Sequence, residues 1–207
     1  MSDQPRLPEE LSQIYKSVHS EVVWLNAKWD IYIQLYQTSD ERNILLNQSA
    51  YLFFRLLKNI LIESIILIVS RLTDKAKTSG RYTRSLEKFI NEVNSHGFDE
   101  LSTSMRENLD EIHERAKPFR SWRHKKLAHS DLNTELETIS NSLPGIQRRE
   151  VSKMLYKINE VMNQFNLFFF NSHTAYDSFW FNNDDGDALI SRLQIAQDYL
   201  ISELDNL

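Results

Sequence analysis

The sequence predicts an all-α fold, a bundle of about six helices with long antiparallel members. Three observations predict it. Apolar residues recur at steps of three and four along most of the chain, which is the spacing of one helix face. Gly and Pro number four each in 207 residues, too few for the turns of a β fold. Hydrophobic residues at 41% and charged residues at 26% are ordinary globular composition, and a chain of this length can bury one substantial core. A single domain spanning 1–207 is the simplest expectation.

Leu11, Ile14, Val18, Val22, Leu25, Trp29, Tyr32 and Tyr36 define the first helix, starting after Pro8. Thr38 followed by Glu41 has the pattern of a capping box and opens a second helix that runs to about Thr73. The two are long enough to form a hairpin. Thr78 to Arg81, "TSGR", reads as a turn, and a shorter helix follows and stops near Gly97. Leu101, Met105, Leu109, Ile112, Ala116 and Phe119 carry the next helix, with a kink or break expected at Pro118. Polar "SDLNTE" ends that element after His129, and Pro144-Gly145 marks a junction. Val151, Leu155, Ile158, Met162, Phe165 and Phe169 line one more long helix. After the loop "NNDDGD", Leu189, Leu193, Ala196, Leu200 and Leu204 line the terminal one.

Composition excludes several chemistries. Cysteine is absent, which removes disulfides, thiol nucleophiles and thiolate metal sites, and suits a reducing cytoplasm. The polar, acidic start "MSDQPRLPEELSQ" is unlike a signal peptide. "LFFRLLKNILIESIILIVSRL" carries Arg55, Lys58 and Glu63, so it reads as a buried helix of a soluble protein, with no membrane partner. A net charge of -5 disfavours nonspecific polyanion binding through the overall field. A local basic patch still acts on phosphates within about 8–10 Å.

Metal and cofactor motifs fail on inspection. His113-Glu114 begins like a zinc-protease helix, but Lys117 stands where the second His belongs. The "NNDDGD" loop would place Phe181 and Arg192 at the first and last calcium-ligand positions, so Asp185 or Asp187 reads instead as a cap of the last helix. There is no glycine-rich phosphate loop. No metal and no cofactor are expected.

Two features remain. On the second helix, Arg55, Asn59, Glu63 and Ser70 form a polar stripe at steps of four, four and seven. It is either a strip reaching solvent between neighbouring helices or the lining of a cleft, where Glu63 would need a cationic partner. The second feature is "FRSWRHKKLAHSD", Phe119 to Asp131, which gathers Arg120, Arg123, Lys125 and Lys126 around His124 and His129. Its plain reading is a solvated basic face mated to Glu107, Asp110, Glu111 and Glu114. Against that stands the combination of a cation that cannot deprotonate with a group titrating near neutrality, which metal-free phosphodiester chemistry can use.

These residues carry a resemblance. "RHKKLAH", Arg123 to His129, resembles the signature of the HEPN superfamily, an Arg followed after four to six residues by His, and His124 fits the residue that commonly follows the Arg. The ending Ala128 to Asp131 and the "SRLTD" of Ser70 to Asp74 resemble the abortive-infection, AbiU-type branch. The resemblance implies a helical bundle that dimerises, with both motifs in a composite cleft. It also implies metal-independent RNA cleavage in many members and noncatalytic RNA or nucleotide binding in others. Some family toxins carry, two residues after the His, a Tyr that a partner nucleotidyltransferase modifies. Asp131 stands there in this chain, a departure from that mode of control.

Geometry adds one condition. At about 100° per residue, positions six apart lie roughly 240° around a straight helix, so Arg123 and His129 cannot share a face. Either the helix ends between them or a symmetry mate completes the site. The expectation is a cytoplasmic, homodimeric endoribonuclease with RNA as partner and an antitoxin or regulatory protein as a further one. Arg123 and His129 are its catalytic residues. Arg120, His124, Lys125 and Lys126 bind substrate, with Trp122 either a base-stacking surface or core. Asn59, Glu63 and Asp131 support the cleft, with Glu63 or Asn59 within reach of the Arg123–His129 segment. The rival reading is a binding module of the same fold that cleaves nothing, and a third is a purely structural helical adaptor.

Overall fold

The computed structural model describes residues 5–78, 81–123, 147–178 and 184–205. Seven helices and one minimal hairpin run through them: α1 (Glu9–Tyr36), α2 (Asp40–Leu72), β1 (Lys77–Thr78), β2 (Arg81–Tyr82), α3 (Leu86–Ser95), α4 (Asp99–Arg106), α5 (Leu109–Trp122), α6 (Arg148–Phe170) and α7 (Gly186–Asp205). The strands pair antiparallel with Lys77 opposite Tyr82, around the turn expected at Thr78 to Arg81. The fold is all-α, as the periodicity predicts.

Contacts divide the chain into two compact units. The first comprises Met1–Leu25 and Ile66–Tyr176, the second Asn26–Ile65 and Asp177–Leu207. In the first, the stripes of α1, α3, α5 and α6 close on one another, and Val18, Phe89, Ile112 and Phe165 are fully buried. Aromatic rings concentrate at its centre, where Phe165 stacks on Tyr15 at 4.7 Å and tilts against Phe169 at 4.6 Å. In the second, Tyr32, Leu35, Leu46, Phe54 and Ile65 are buried, and the Tyr36 hydroxyl donates to the Phe54 carbonyl at 2.8 Å.

Several boundaries differ from expectation for identifiable reasons. Ser39, not Thr38, caps α2: its Oγ accepts from the Arg42 N–H at 3.3 Å. Thr38 instead closes α1 by donating to the Ile33 carbonyl at 2.9 Å. Within α2, Ala50 leaves the helical region (φ -163°, ψ 76°), so the element is two helices joined by a kink. The helix expected from Leu101 onward is also two, α4 and α5. Glu107 and Asn108 interrupt it yet keep αR dihedrals, so the apolar face continues in phase and periodicity cannot register the break.

Pro118, where a kink or break was expected, lies inside an assigned helix that ends at Trp122. Proline removes one helical N–H and crowds the preceding turn. The Arg120 Nη2 donates to the His113 carbonyl in that turn at 2.8 Å. The second helix is only in part the buried helix expected: Ile65, Ile66, Val69 and Leu72 are buried, but the stretch just past the kink is not. Leu52, Leu56 and Ile60 are 66%, 53% and 61% exposed, a bare apolar row at steps of four.

The cap expected of the terminal helix is present. Asp185 Oδ1 accepts from the Ala188 N–H at 2.9 Å, and the Gly186 N–H donates to Gln34 Oε1 at 2.8 Å. A Cβ at Gly186 would lie 2.8 Å from that same oxygen, which is why glycine opens α7. No helix among the described residues is long and apolar enough to cross a membrane.

Candidate functional site

The site is built where α2 ends. The Thr73 N–H and hydroxyl both donate to the Val69 carbonyl, at 3.0 and 2.8 Å, and the Asp74 N–H donates to the Arg71 carbonyl at 3.3 Å. The turn that follows is held from the α3 side. The Ala76 N–H donates to Glu87 Oε2 at 2.7 Å, and the Thr83 N–H donates to the Ala76 carbonyl at 3.1 Å. Ser85 caps α3 by accepting from the Lys88 N–H, which fixes Glu87 in the first turn. Asp74 therefore sits on a short, anchored segment.

Helix α5 brings two arginines to that segment. Arg120 Nη1 donates to the Thr73 carbonyl at 3.3 Å and to its hydroxyl at 3.1 Å. A cation on the last carbonyls of a helix also complements the negative end of the helix dipole. One turn later, Arg123 Nη1 meets Asp74 at 3.0 Å to Oδ2 and 3.3 Å to Oδ1. The two side chains are 27% and 23% exposed, so the pair is partly shielded from water. Charge-assisted bonds of this kind restrict a guanidinium more firmly than neutral ones. Arg123 has helical dihedrals (φ -54°, ψ -46°), which extends the α5 geometry to the first residue of the motif.

The plain reading pairs the cations of this segment with Glu107, Asp110, Glu111 and Glu114, but Arg120 and Arg123, the two among the described residues, turn to the end of α2. Glu111 pairs instead with Arg115 at 2.7 Å, and Glu114 with Lys117 at 2.5 Å. Trp122 is 9% exposed and belongs to the core, which removes it as a base-stacking surface.

The remaining predicted residues are distributed as follows. Asn59 and Glu63 lie on α2 in the second unit, both half-buried. The polar stripe they were assigned to changes environment along its length, from exposed Arg55 to fully buried Ser70. His124, Lys125, Lys126, His129 and Asp131 lie outside the described residues, as do the expected end of the motif helix and the Pro144-Gly145 junction. Among the described residues no three His, Asp or Glu side chains converge as metal ligands.

Sequence reasoning assigned no role to Thr73 or Asp74. The signal was the "SRLTD" string itself, but its contact to Arg123 spans 49 residues and no local pattern encodes it. His113, weighed from the sequence only as a metal motif that fails, is another neighbour. Burial and the adjacent Arg120 cation hold its imidazole below the ordinary range, and its buried Nε2 has no partner among the described residues. A separate groove of about 590 Å³ lies against α5 and α6, lined by Arg115, Arg149, Lys153 and Lys157 with Glu111 and Tyr156.

Comparison with known families matches the chain to the HEPN family described as AbiU2, over residues 8–188. No curated protein matches the chain. No solved structure matches it.

Proposed function

Because the chain belongs to the AbiU2 family of HEPN proteins, we propose that it is a metal-independent endoribonuclease, a toxin or abortive-infection effector acting in the cytoplasm as a homodimer with a composite cleft. The observation that carries this reading is the seating of Arg123. It is the one member of the Arg-to-His motif among the described residues, and Asp74 holds it at the end of α5. A guanidinium fixed in this way meets a phosphate with little reorganisation.

The chemistry follows from the side chains. His129 removes the proton of a ribose 2′-hydroxyl, or delivers one to the leaving 5′-oxygen, and its reference pKa of about 6.5 suits either role. The 2′-oxygen forms a bond to phosphorus while the bond from phosphorus to the 5′-oxygen breaks. The products are a 2′,3′-cyclic phosphate and a 5′-hydroxyl. Attack is intramolecular and needs little added positioning. Arg123 braces the charge developing on the phosphoryl oxygens. His124 orients RNA or shares the proton transfer, and Lys125 and Lys126 hold the phosphate backbone. Arg120 adds its charge at the same end of α5, where it is tied to Thr73 and His113. Asn59, Glu63 and Asp131 have a supporting role in this reading, and an antitoxin or regulatory protein restrains the activity.

The rival is a noncatalytic module of the same fold that holds RNA, a nucleotide or a partner protein. One observation favours it: the Asp74 carboxylate offsets part of the charge that Arg123 would offer a phosphate. Incubating the purified protein with RNA in EDTA, beside an Arg123→Ala, His129→Ala variant, separates the two. Cleavage by the parent alone supports the ribonuclease. RNA bound by the parent but left intact supports the binding module.

A further inference from the structure

The second unit ends in a helix that lacks half of its packing. Helix α7 starts against its own unit: Asp185 accepts from Gln34 at 3.2 Å, Asp187 pairs with Arg42, and Gln197 donates to Gln48 at 2.7 Å. Two residues past Gln48, α2 kinks at Ala50. Leu189 and Leu193 are half-buried, yet Leu200 and Leu204, next on the same apolar stripe, are 63% and 70% exposed. An isolated helix of about 12 residues is marginal in water. The outer half of α7 therefore calls for a partner surface.

Beyond the kink, α2 shows a surface of the matching kind. Leu52, Leu56 and Ile60 form its bare apolar row. From Tyr51 to Ile62 its only charged residues are Arg55, which is exposed, and Lys58, whose ammonium lies over the Tyr36 ring of the same chain at 5.5 Å. From Leu193 to Asp205, the charged residues of α7 are Asp198, Glu203 and Asp205, all acidic. The α2 face is apolar beside one exposed cation, Arg55, and the outer half of α7 is apolar with acids as its only charges. The acidic rim of α7 is also the wrong sign for an anionic membrane surface, where interfacial helices carry Lys and Arg.

We propose that the outer half of α7 docks on the post-kink face of α2 in a second copy of this chain, and that the exchange is reciprocal. A twofold contact pairs each patch with its complement on the partner, so both bare faces close at once. Leu52, Phe53, Leu56 and Ile60 on α2 and Leu200 and Leu204 on α7 are 53–70% exposed, so each copy brings six large apolar side chains to the contact. The family match ends at residue 188, so it does not account for this helix. The inference rests on the proposed reading only for the dimer; the ribonuclease chemistry is independent of it.

The test uses the full chain. Light scattering at micromolar concentration should give twice the 24.5 kDa of one chain. Leu200→Glu with Leu204→Glu should return the single-chain mass while helical circular dichroism is kept, since both residues are exposed within one copy. The chain has no cysteine, so a Leu56→Cys protein mixed with a Leu200→Cys protein gives a clean second readout. Oxidation of the mixture should yield the mixed disulfide dimer in excess of either self-linked species. A monomeric parent, a double-Glu variant that stays dimeric, or no excess of the mixed species overturns the proposal. A dimer joined in this way that leaves RNA intact removes the ribonuclease and retains the interface.

Discussion

Arg123 and Arg120 stand three residues apart on one helix, yet their partners give them different work. Arg120 donates to backbone carbonyls of Thr73 and His113, so it ties α5 to the end of α2. Arg123 meets a carboxylate that fixes one side of its guanidinium. Asp74→Ala should therefore lower RNA cleavage about tenfold, one misplaced charge-assisted contact's worth, while Asp74→Asn keeps part of the orientation. Initial rates of the two variants check this, and equal losses would point to charge rather than geometry. The residue types of the basic segment were legible in the sequence because they cluster within it. Their partners were not, because Thr73 and Asp74 reach them only through the fold. The second residue-scale prediction concerns pH. Burial holds His19 and His113 below the ordinary imidazole range, and around His113 the Arg120 cation outranks Glu87, Asp110 and Glu114. Below about pH 6.5 the unfolded chain then binds more protons than the folded one, so stability is complete above that pH and falls on acidification. Melting temperatures at pH 7.5 and 5.5 should differ, with a smaller difference in His113→Asn.

At the scale of elements, the apolar stripes were the most legible part of the chain. Val151, Leu155, Ile158, Met162, Phe165 and Phe169 are buried as their spacing requires. Phe165 is the ring on which α1, α3 and α6 converge, within 4.7 Å of Tyr15 and 5.0 Å of Phe89 between centroids. Phe165→Ala should cost about 3–5 kcal/mol of unfolding free energy, because the surrounding rings cannot all close the void. Chemical denaturation measures it, and a loss below about 1 kcal/mol would mean a core far looser than these distances. Periodicity was silent wherever the phase was preserved. The interruption at Glu107–Asn108 keeps helical dihedrals, and Pro118 stays within a helix. The kink at Ala50 was equally hidden, since alanine is the strongest helix former. It is a feature of packing, not of local propensity.

At the scale of the whole molecule, length and composition anticipated one helical domain, and the contacts resolve two units, each built from two separate stretches of chain. Apolar composition alone could not say which faces stay bare. The "FNLFFF" run shows why: Phe165 and Phe169 are buried, while Leu167, Phe168 and Phe170 are 53%, 40% and 42% exposed. Surfaces of this kind, with the bare row of α2, lead to the expectation of a homodimer at micromolar concentration. Sedimentation velocity checks it, and a single species of one-chain mass would remove the composite cleft. The central claim is the chemistry itself. The most direct measurement is the product of RNA cleavage in EDTA, with a matched DNA strand beside it and His129→Ala and Lys125→Ala as variants. The account predicts a 2′,3′-cyclic phosphate end, intact DNA, and a loss of about a hundredfold or more for His129→Ala, against a much smaller loss for Lys125→Ala. Cleavage that EDTA abolishes and magnesium restores, or equal cutting of the DNA strand, would contradict it.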